Sequence, residues 1–391
     1  MHLLSGLVAA NLALGAAASG FKPASTAGTD KLAKQGLVNL AKYELKNHPP
    51  KTCNTKTGYI RKEWSSLKDS EKKEYIDAVL CLQSKPAKSN AAYPAPGARS
   101  RYDDFVATHI NQTLTIHGTG NFLSWHRYFT WTYEQALRNE CGYKGYQPYV
   151  NWGRYAEDLY NAPFFDGSAT SISNNGAYIK HNGTYVPSAQ APVIYVPPGQ
   201  GGGCVTKGPF KDMKVNLGPV APALDFVVAN PSTNGLGYNP RCLRRDVSAW
   251  AAERASTDKN TTDLITQNDN IEDFQNVMEG GFNQGLELLG VHTAGHFWVA
   301  GDPGGDLFAS PGDPYFFLHH AQIDRTWWIW QNQDLENRQN AIAGTLTLNN
   351  NPPSRNTTLD DIIELGVNAP KGIKIGDAMS TLDGPFCYIY A

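Results

Sequence analysis

The 391-residue chain has no excess of either charge: 34 Lys and Arg stand against 36 Asp and Glu, a net charge of −2, with no long run of one sign. That balance leaves nothing to attract nucleic acid or an anionic membrane. Long apolar segments are also scarce. After the first twenty residues nothing approaches the ~20 consecutive apolar residues of a membrane span, so no membrane partner is expected of the mature protein. Thiolates are absent near the histidines, which argues against iron–sulfur and blue-copper centres. A glutamate directly after the first histidine of a His-x-x-x-His pair, as zinc proteases require, is missing too: that place is Thr293.

The N-terminus carries an apolar run, LLSGLVAANLALGAAA, followed by small residues. Residues 1–20 therefore read as a secretory signal cut near Ala16-Ala17-Ala18, although no Lys or Arg precedes the run. Six cysteines, an even number, suit an oxidising compartment. Asn111, Asn182, Asn260 and Asn356 each begin an Asn-x-Ser/Thr triplet. Together these features predict a secreted, disulfide-bonded glycoprotein. Six cysteines allow 15 connectivities; a Cys204–Cys242 staple across the loop between them is one expectation. Cys81 reads as a staple rather than a nucleophile, because no histidine or base stands near it in sequence.

Aromatic residues make up 11% of the chain, beside 37 glycines and 24 prolines, which suits a loop-rich globular protein with a substantial core. From Glu71 to Leu82, Tyr75, Ile76, Val79 and Leu80 recur at helical spacing and predict a packing helix. The Pro- and Gly-rich stretch from Tyr185 to Pro240 predicts loops and short strands, too long for a simple connection and placed to shape a substrate mouth.

The chemistry lies in the histidines. His292 and His296 are four apart, so on a helix both imidazoles share one face and can share a metal. Asp313-Pro314 opens a further helix, with Asp as cap and Pro at the first position. That helix carries His319 and His320, which point about 100° apart, so one of them joins the first pair. His320 is the better choice, because Asp324 lies one turn further on the same face and is expected to help orient the site. A second set precedes these: His109 in a helical segment, His117 in a Gly-flanked loop, and His126 in an aromatic helix predicted from about Phe122 to Arg138. Two sets of three neutral imidazoles suit copper or zinc. Since more than 160 residues separate them, a domain boundary between them would split the site, and a single domain over residues 21–391 is expected.

At this point the sequence resembles the tyrosinase, catechol oxidase and haemocyanin superfamily of type-3 copper proteins. The run from His117 to Phe129 with upstream His109 is similar to the first copper motif, and Asp313, Pro314, Phe316, Phe317, His320 and Asp324 match the second. Tyr388-Ile389-Tyr390 looks like the signature that closes the catalytic domain. The resemblance implies a mainly α fold, a central four-helix bundle holding a dicopper site, with long loops and a few short strands. It also implies copper ligands His109, His117 and His126 on one side and His292, His296 and His320 on the other, with O2 and a small phenol as substrates. Only Ala391 follows the Tyr-x-Tyr run, so a short fungal polyphenol oxidase without a C-terminal capping domain is the implied form.

Relatives that hydroxylate monophenols well often carry Asn after the first histidine of the second set, thought to hold a water with a nearby Glu. Here the residue is Thr293, and the glutamate is Glu279 or Glu287. Phe297 is expected to narrow the mouth. Oxidation of o-diphenols to o-quinones, with O2 reduced to water, is therefore favoured over a true tyrosinase activity and over an oxygen-carrier role of the haemocyanin type. Thr115 stands two before His117 and no cysteine lies between His109 and His126, so the thioether crosslink of some relatives is not expected.

Overall fold

The computed structural model describes residues 20–47, 52–89, 94–186, 193–280 and 289–390. Apart from Gly20, the segment read as a signal lies outside them, as do Glu287 and Ala391. Eleven helices are present among the described residues: α1 Ala27–Asn47, α2 Asp69–Ser84, α3 Arg101–Ile116, α4 Phe122–Cys141, α5 Trp152–Tyr155, α6 Ala249–Ala255, α7 Asp258–Gln267, α8 Ile271–Glu279, α9 Val291–Val299, α10 Tyr315–Gln333 and α11 Leu335–Arg338. Among the described residues no helix is long and apolar enough to cross a membrane.

α3 begins at a reciprocal cap in which Ser100 accepts the Asp103 N–H while the Asp103 carboxylate accepts the Ser100 N–H. α4 ends at Gly142, whose φ of 74° is the left-handed conformation that suits glycine. α10 opens one residue later than the sequence predicts: Pro314 is the cap, while the Asp313 carboxylate accepts the Tyr315 N–H and pairs with Arg245 through both oxygens, at 2.7 and 2.8 Å. That pair ties the start of α10 to the segment just before α6. α2 covers the predicted packing helix, and its Tyr75, Ile76, Val79 and Leu82 are buried while Leu80 is only partly so.

α10 is buried along nearly its whole length and packs against α1, α4 and α9; α3 packs against α2 and α4. Four of these, α3, α4, α9 and α10, enclose the histidines. The strands are short and form five two-stranded pairs. β1 Tyr59–Arg61 runs parallel to β10 Tyr388–Tyr390, joining the two ends of the described chain. β2 Gly176–Tyr178 and β5 Gly202–Val205 flank the hairpin of β3 Thr184–Val186 with β4 Ile194–Val196, and β6 Lys214–Val215 pairs with β7 Arg241–Cys242. The last pair is β8 Ile362–Ile363 with β9 Ile373–Lys374. The described part of the stretch from Tyr185 to Pro240 is thus loops and short strands, as its composition indicates.

All six cysteines are paired: Cys53–Cys387, Cys81–Cys141 and Cys204–Cys242. The expected staple at Cys204–Cys242 is present, and Cys81 joins the ends of α2 and α4. The Tyr-x-Tyr strand is locked from inside as well. Tyr388 and Tyr390 both donate to Asp324 Oδ2, at 2.6 and 2.5 Å, and Arg127 donates to Oδ1 at 2.6 Å. Arg61 reaches Oδ2 at 3.3 Å and Glu134 at 3.0 Å. These groups are all buried, so each charge depends on the others. The orienting role expected of Asp324 at the metal site needs correction: its oxygens bond to arginines and tyrosines, and it anchors the C-terminal strand instead.

Candidate metal centre

His109 stands on α3, His117 is the residue that ends it, and His126 lies in the second turn of α4. Each points one nitrogen at a backbone carbonyl. The Nδ1–H of His117 donates to Thr113 at 3.0 Å and that of His126 to Phe122 at 2.8 Å, both four residues back along the chain. His109 Nδ1–H donates across the fold to Phe308 at 2.7 Å. This assignment fixes the tautomer and turns every Nε2 lone pair inward. The Nε2 atoms of His109 and His126 are buried with no hydrogen-bond partner, and the three rings offer ligand atoms within 4.8 Å of one another.

The second trio converges more tightly. His296 Nε2 lies 3.2 Å from the Nε2 of His292 and 3.2 Å from that of His320. Ligands about 2.0–2.1 Å from a metal in a tetrahedral array lie roughly 3.3 Å apart, so the spacing fits one shared ion. The trios face each other, with the His126 and His320 rings stacked at 4.5 Å between centroids and His117 and His292 at 5.9 Å. Burial, and after it the neighbouring imidazoles, holds His109, His126, His292 and His320 well below the ordinary histidine value. Burial lowers His117 to about 4, and burial with the His117 charge lowers His296 to about 3. Six neutral imidazoles with lone pairs aimed at two points form a donor set for two ions that accept nitrogen, copper or zinc.

His319 also sits within reach of the second trio, but both of its nitrogens are engaged. Trp152 Nε1–H donates to its Nδ1 at 3.1 Å, and its Nε2–H donates to the His292 carbonyl at 3.0 Å. It therefore steadies the helix that carries His292 rather than offering a lone pair. Gly295, on the same helix, makes room for the ring: a Cβ there would collide with His319. The sequence indicated that only one of His319 and His320 joins the trio, but gave no sign of what the other does. The carbonyl partners Thr113, Phe122 and Phe308 were not anticipated from the sequence.

Glu279, the last residue of α8, is fully buried against this centre. Its Oε2 accepts the Gly118 N–H at 2.7 Å, while Oε1 has no hydrogen-bond partner. Burial pushes its carboxyl up to about 8. Thr293 donates its hydroxyl to the Glu279 carbonyl oxygen at 2.5 Å. A cavity of about 200 Å³ reaches His292, Thr293 and His296, and Phe297 lies in its wall beside Ala223 and Val186. The hairpin residues Thr184 to Val186 and the loop Ala221 to Ala223 form one side, so the long irregular region does shape the mouth. Sequence reasoning missed Asp306 below this wall. Its carboxylate accepts the N–H groups of Val220, Ala221, Phe308 and Ala309 and so holds two mouth loops together.

A helix bundle that buries two facing trios of imidazoles beside a cavity defines a binuclear metalloenzyme of the all-histidine class. Residues 99–333 match the family model for the common central domain of tyrosinase. The tyrosinase-like protein orsC of Emericella nidulans is 43% identical over 328 residues, covering 81% of this chain and 86% of that one. Tyrosinase P of Aspergillus terreus is 39% identical over 336 residues, 85% and 91% of the two chains. A mutant polyphenol oxidase from Thermothelomyces thermophila superposes with a TM-score of 0.85 at 40% identity, covering 93% of this chain and 98% of that one. The chain belongs to the tyrosinase family and is a copper-dependent oxidoreductase.

Proposed function

We propose that the chain is a secreted o-diphenol oxidase, converting catechols to o-quinones while O2 is reduced to water, over a single catalytic domain of residues 21–391. In this reading His109, His117 and His126 hold one copper and His292, His296 and His320 the other. When bound, the copper pair supplies the paired electron exchange with O2 that the reaction requires. Two catechols and one O2 give two quinones and two waters. The protein's part is to hold His109, His117 and His126 in one tautomer, keep bulk water out of the bundle, and admit the ring through the cavity over His292 and His296. Secretion is supported by the three disulfides and by exposed asparagines at Asn111, Asn182 and Asn356.

The observation that carries the diphenol preference is the Thr293 hydroxyl. Its proton is committed to the Glu279 carbonyl, so it cannot donate to a water as an Asn amide would. A second reading, with monophenol hydroxylation, draws on the buried Glu279 Oε1, which stands unpaired beside Thr293 and Gly118. Oxygen uptake by the copper-loaded protein separates them. With 4-methylcatechol and p-cresol in parallel and His292→Ala as control, uptake on the catechol alone supports the diphenol oxidase. Comparable initial rates on both would establish the hydroxylase and remove the weight placed on Thr293. Turnover of neither would favour an oxygen-carrier role.

A further inference from the structure

His181 and Asp246 lie behind the wall of the cavity over His292 and His296. They line a smaller cavity of about 10 Å³ whose wall also includes Thr184, Ala223 and Phe297, three residues shared with the larger one. Their side chains are 3% and 6% exposed, and His181 Nε2 stands 3.1 Å from Asp246 Oδ2. The approach is oblique, so this tie is electrostatic more than a shaped hydrogen bond. His181 Nδ1 accepts the Gly183 N–H at 3.2 Å, which leaves the ring proton on Nε2, beside the carboxylate. Asp246 in turn accepts the Gly199 N–H through Oδ2 at 2.8 Å and the Gly201 N–H through Oδ1 at 3.0 Å. The β3–β4 hairpin pairs Thr184 with Val196, so 181–183 lead into it and 197–201 lead out. Both of its feet therefore meet on one buried carboxylate.

The same segment is fastened to the metal centre. Asp246 N–H donates to the Val299 carbonyl at 2.8 Å and Ser248 N–H to that of Trp298 at 3.2 Å, at the end of the helix that carries His292 and His296. The hairpin's own grip on the core is small by comparison. Val186 and Val196 join one minor apolar cluster with Ala223 and Phe297, while Tyr185 and Tyr195 are exposed.

Resting on the diphenol-oxidase reading, we propose that His181 and Asp246 are positioning residues: they hold the wall Thr184–Val186 in place over His292 and His296, and so set how tightly the catechol is held rather than how fast it reacts. The metal ligands stand on helices that His181 does not touch, so loosening the wall removes binding that the ground state and transition state share.

The test is steady-state oxidation of 4-methylcatechol by copper-loaded wild type, His181→Leu and His181→Gln, with hydrogen exchange of the same proteins in the absence of substrate. Leucine removes both polar atoms, whereas glutamine keeps one acceptor and one donor at its end. His181→Leu should raise KM roughly threefold to tenfold, the weight of one buried polar tie, with kcat within about twofold of wild type. Amides of 184–186 and 194–196 should exchange roughly fivefold faster while those of α10 stay as they were. His181→Gln should recover most of both effects. An unchanged KM in folded His181→Leu, a fall in kcat alone, or unchanged exchange in the two strands would overturn the proposal. So would a KM for His181→Gln as high as that for leucine, which would assign the effect to the ring's packing on Phe226, 6.4 Å away. Faster strand exchange in His181→Leu, with no oxidation of catechol by the wild type, would keep the anchor and remove the diphenol oxidase.

Discussion

Gly295→Ala should destabilise the protein, against the sign that helix propensity gives. Gly295 lies inside α9, where replacing glycine by alanine ordinarily gains about 1 kcal/mol. Here the added Cβ collides with the His319 ring. That ring cannot step aside cheaply, because Trp152 and the His292 carbonyl hold it through both nitrogens, at 3.1 and 3.0 Å. Over-packing of this kind costs about 1–3 kcal/mol, and the interior offers few gaps to absorb it. The net expectation is a loss of up to about 2 kcal/mol, seen by calorimetry on the copper-free protein as a melting temperature lower by up to a few degrees. The His319→Ala background isolates the cause: with the ring gone, the same substitution should become neutral or stabilising, a coupling of at least about 1 kcal/mol. A higher melting temperature for Gly295→Ala in the wild-type background would refute the reasoning that the glycine exists to seat His319.

Other consequences follow from the buried charges. Asp324→Asn should cost about 3–5 kcal/mol, since Arg61 and Arg127 are left without a full counter-charge in a dry site; urea unfolding measures it, with an unchanged midpoint as the contrary result. The copper-free protein should lose stability in acid. The metal-site histidines are held neutral in the fold, so the stability they contribute is present above the unfolded value near 6.5 and is lost as pH falls through about 4 for His117 and about 3 for His296. Melting temperatures that stayed flat from pH 7 to pH 4.5 would contradict this. Glu279 carries the opposite sign: its carboxyl rises from 4.5 to about 8 on burial, so stability present below 4.5 is lost as pH climbs to about 8. Glu279→Gln should therefore raise the melting temperature of copper-free protein at pH 8 and do much less at pH 5.

What the sequence disclosed about the site depended on helical geometry. His292 and His296 share a face because they are four apart, and 100° per residue allows only one of His319 and His320 to join them; the choice of His320 leaned on Asp324. Asp324 shows where that logic stops. It does lie one turn beyond His320, but its partners Arg61, Tyr388 and Tyr390 come from the two far ends of the chain, and no local pattern announces such a meeting. The same holds for Asp306, two of whose four N–H partners, Val220 and Ala221, lie 86 and 85 residues earlier in the chain, and for Trp152 beneath His319. The packing helix α2 and the irregular region after Tyr185 were legible from periodicity and composition. Of the disulfides, only the short-range Cys204–Cys242 pair was specified in advance, because Cys53 and Cys387 are 334 residues apart and meet only through the parallel β1–β10 pair.

Copper content per chain tests the central claim most directly, measured by elemental mass spectrometry on the wild type, His126→Ala, His292→Ala and His319→Gln after loading and removal of loose metal. Two coppers in the wild type, about one in each of the two alanine variants and two in His319→Gln is the expected pattern, because His319 has no free lone pair while His126 and His292 each complete a trio. Full loading of His126→Ala or His292→Ala would contradict the assignment of the six histidines, and loss of a copper from His319→Gln equal to that from His292→Ala would make His319 a ligand.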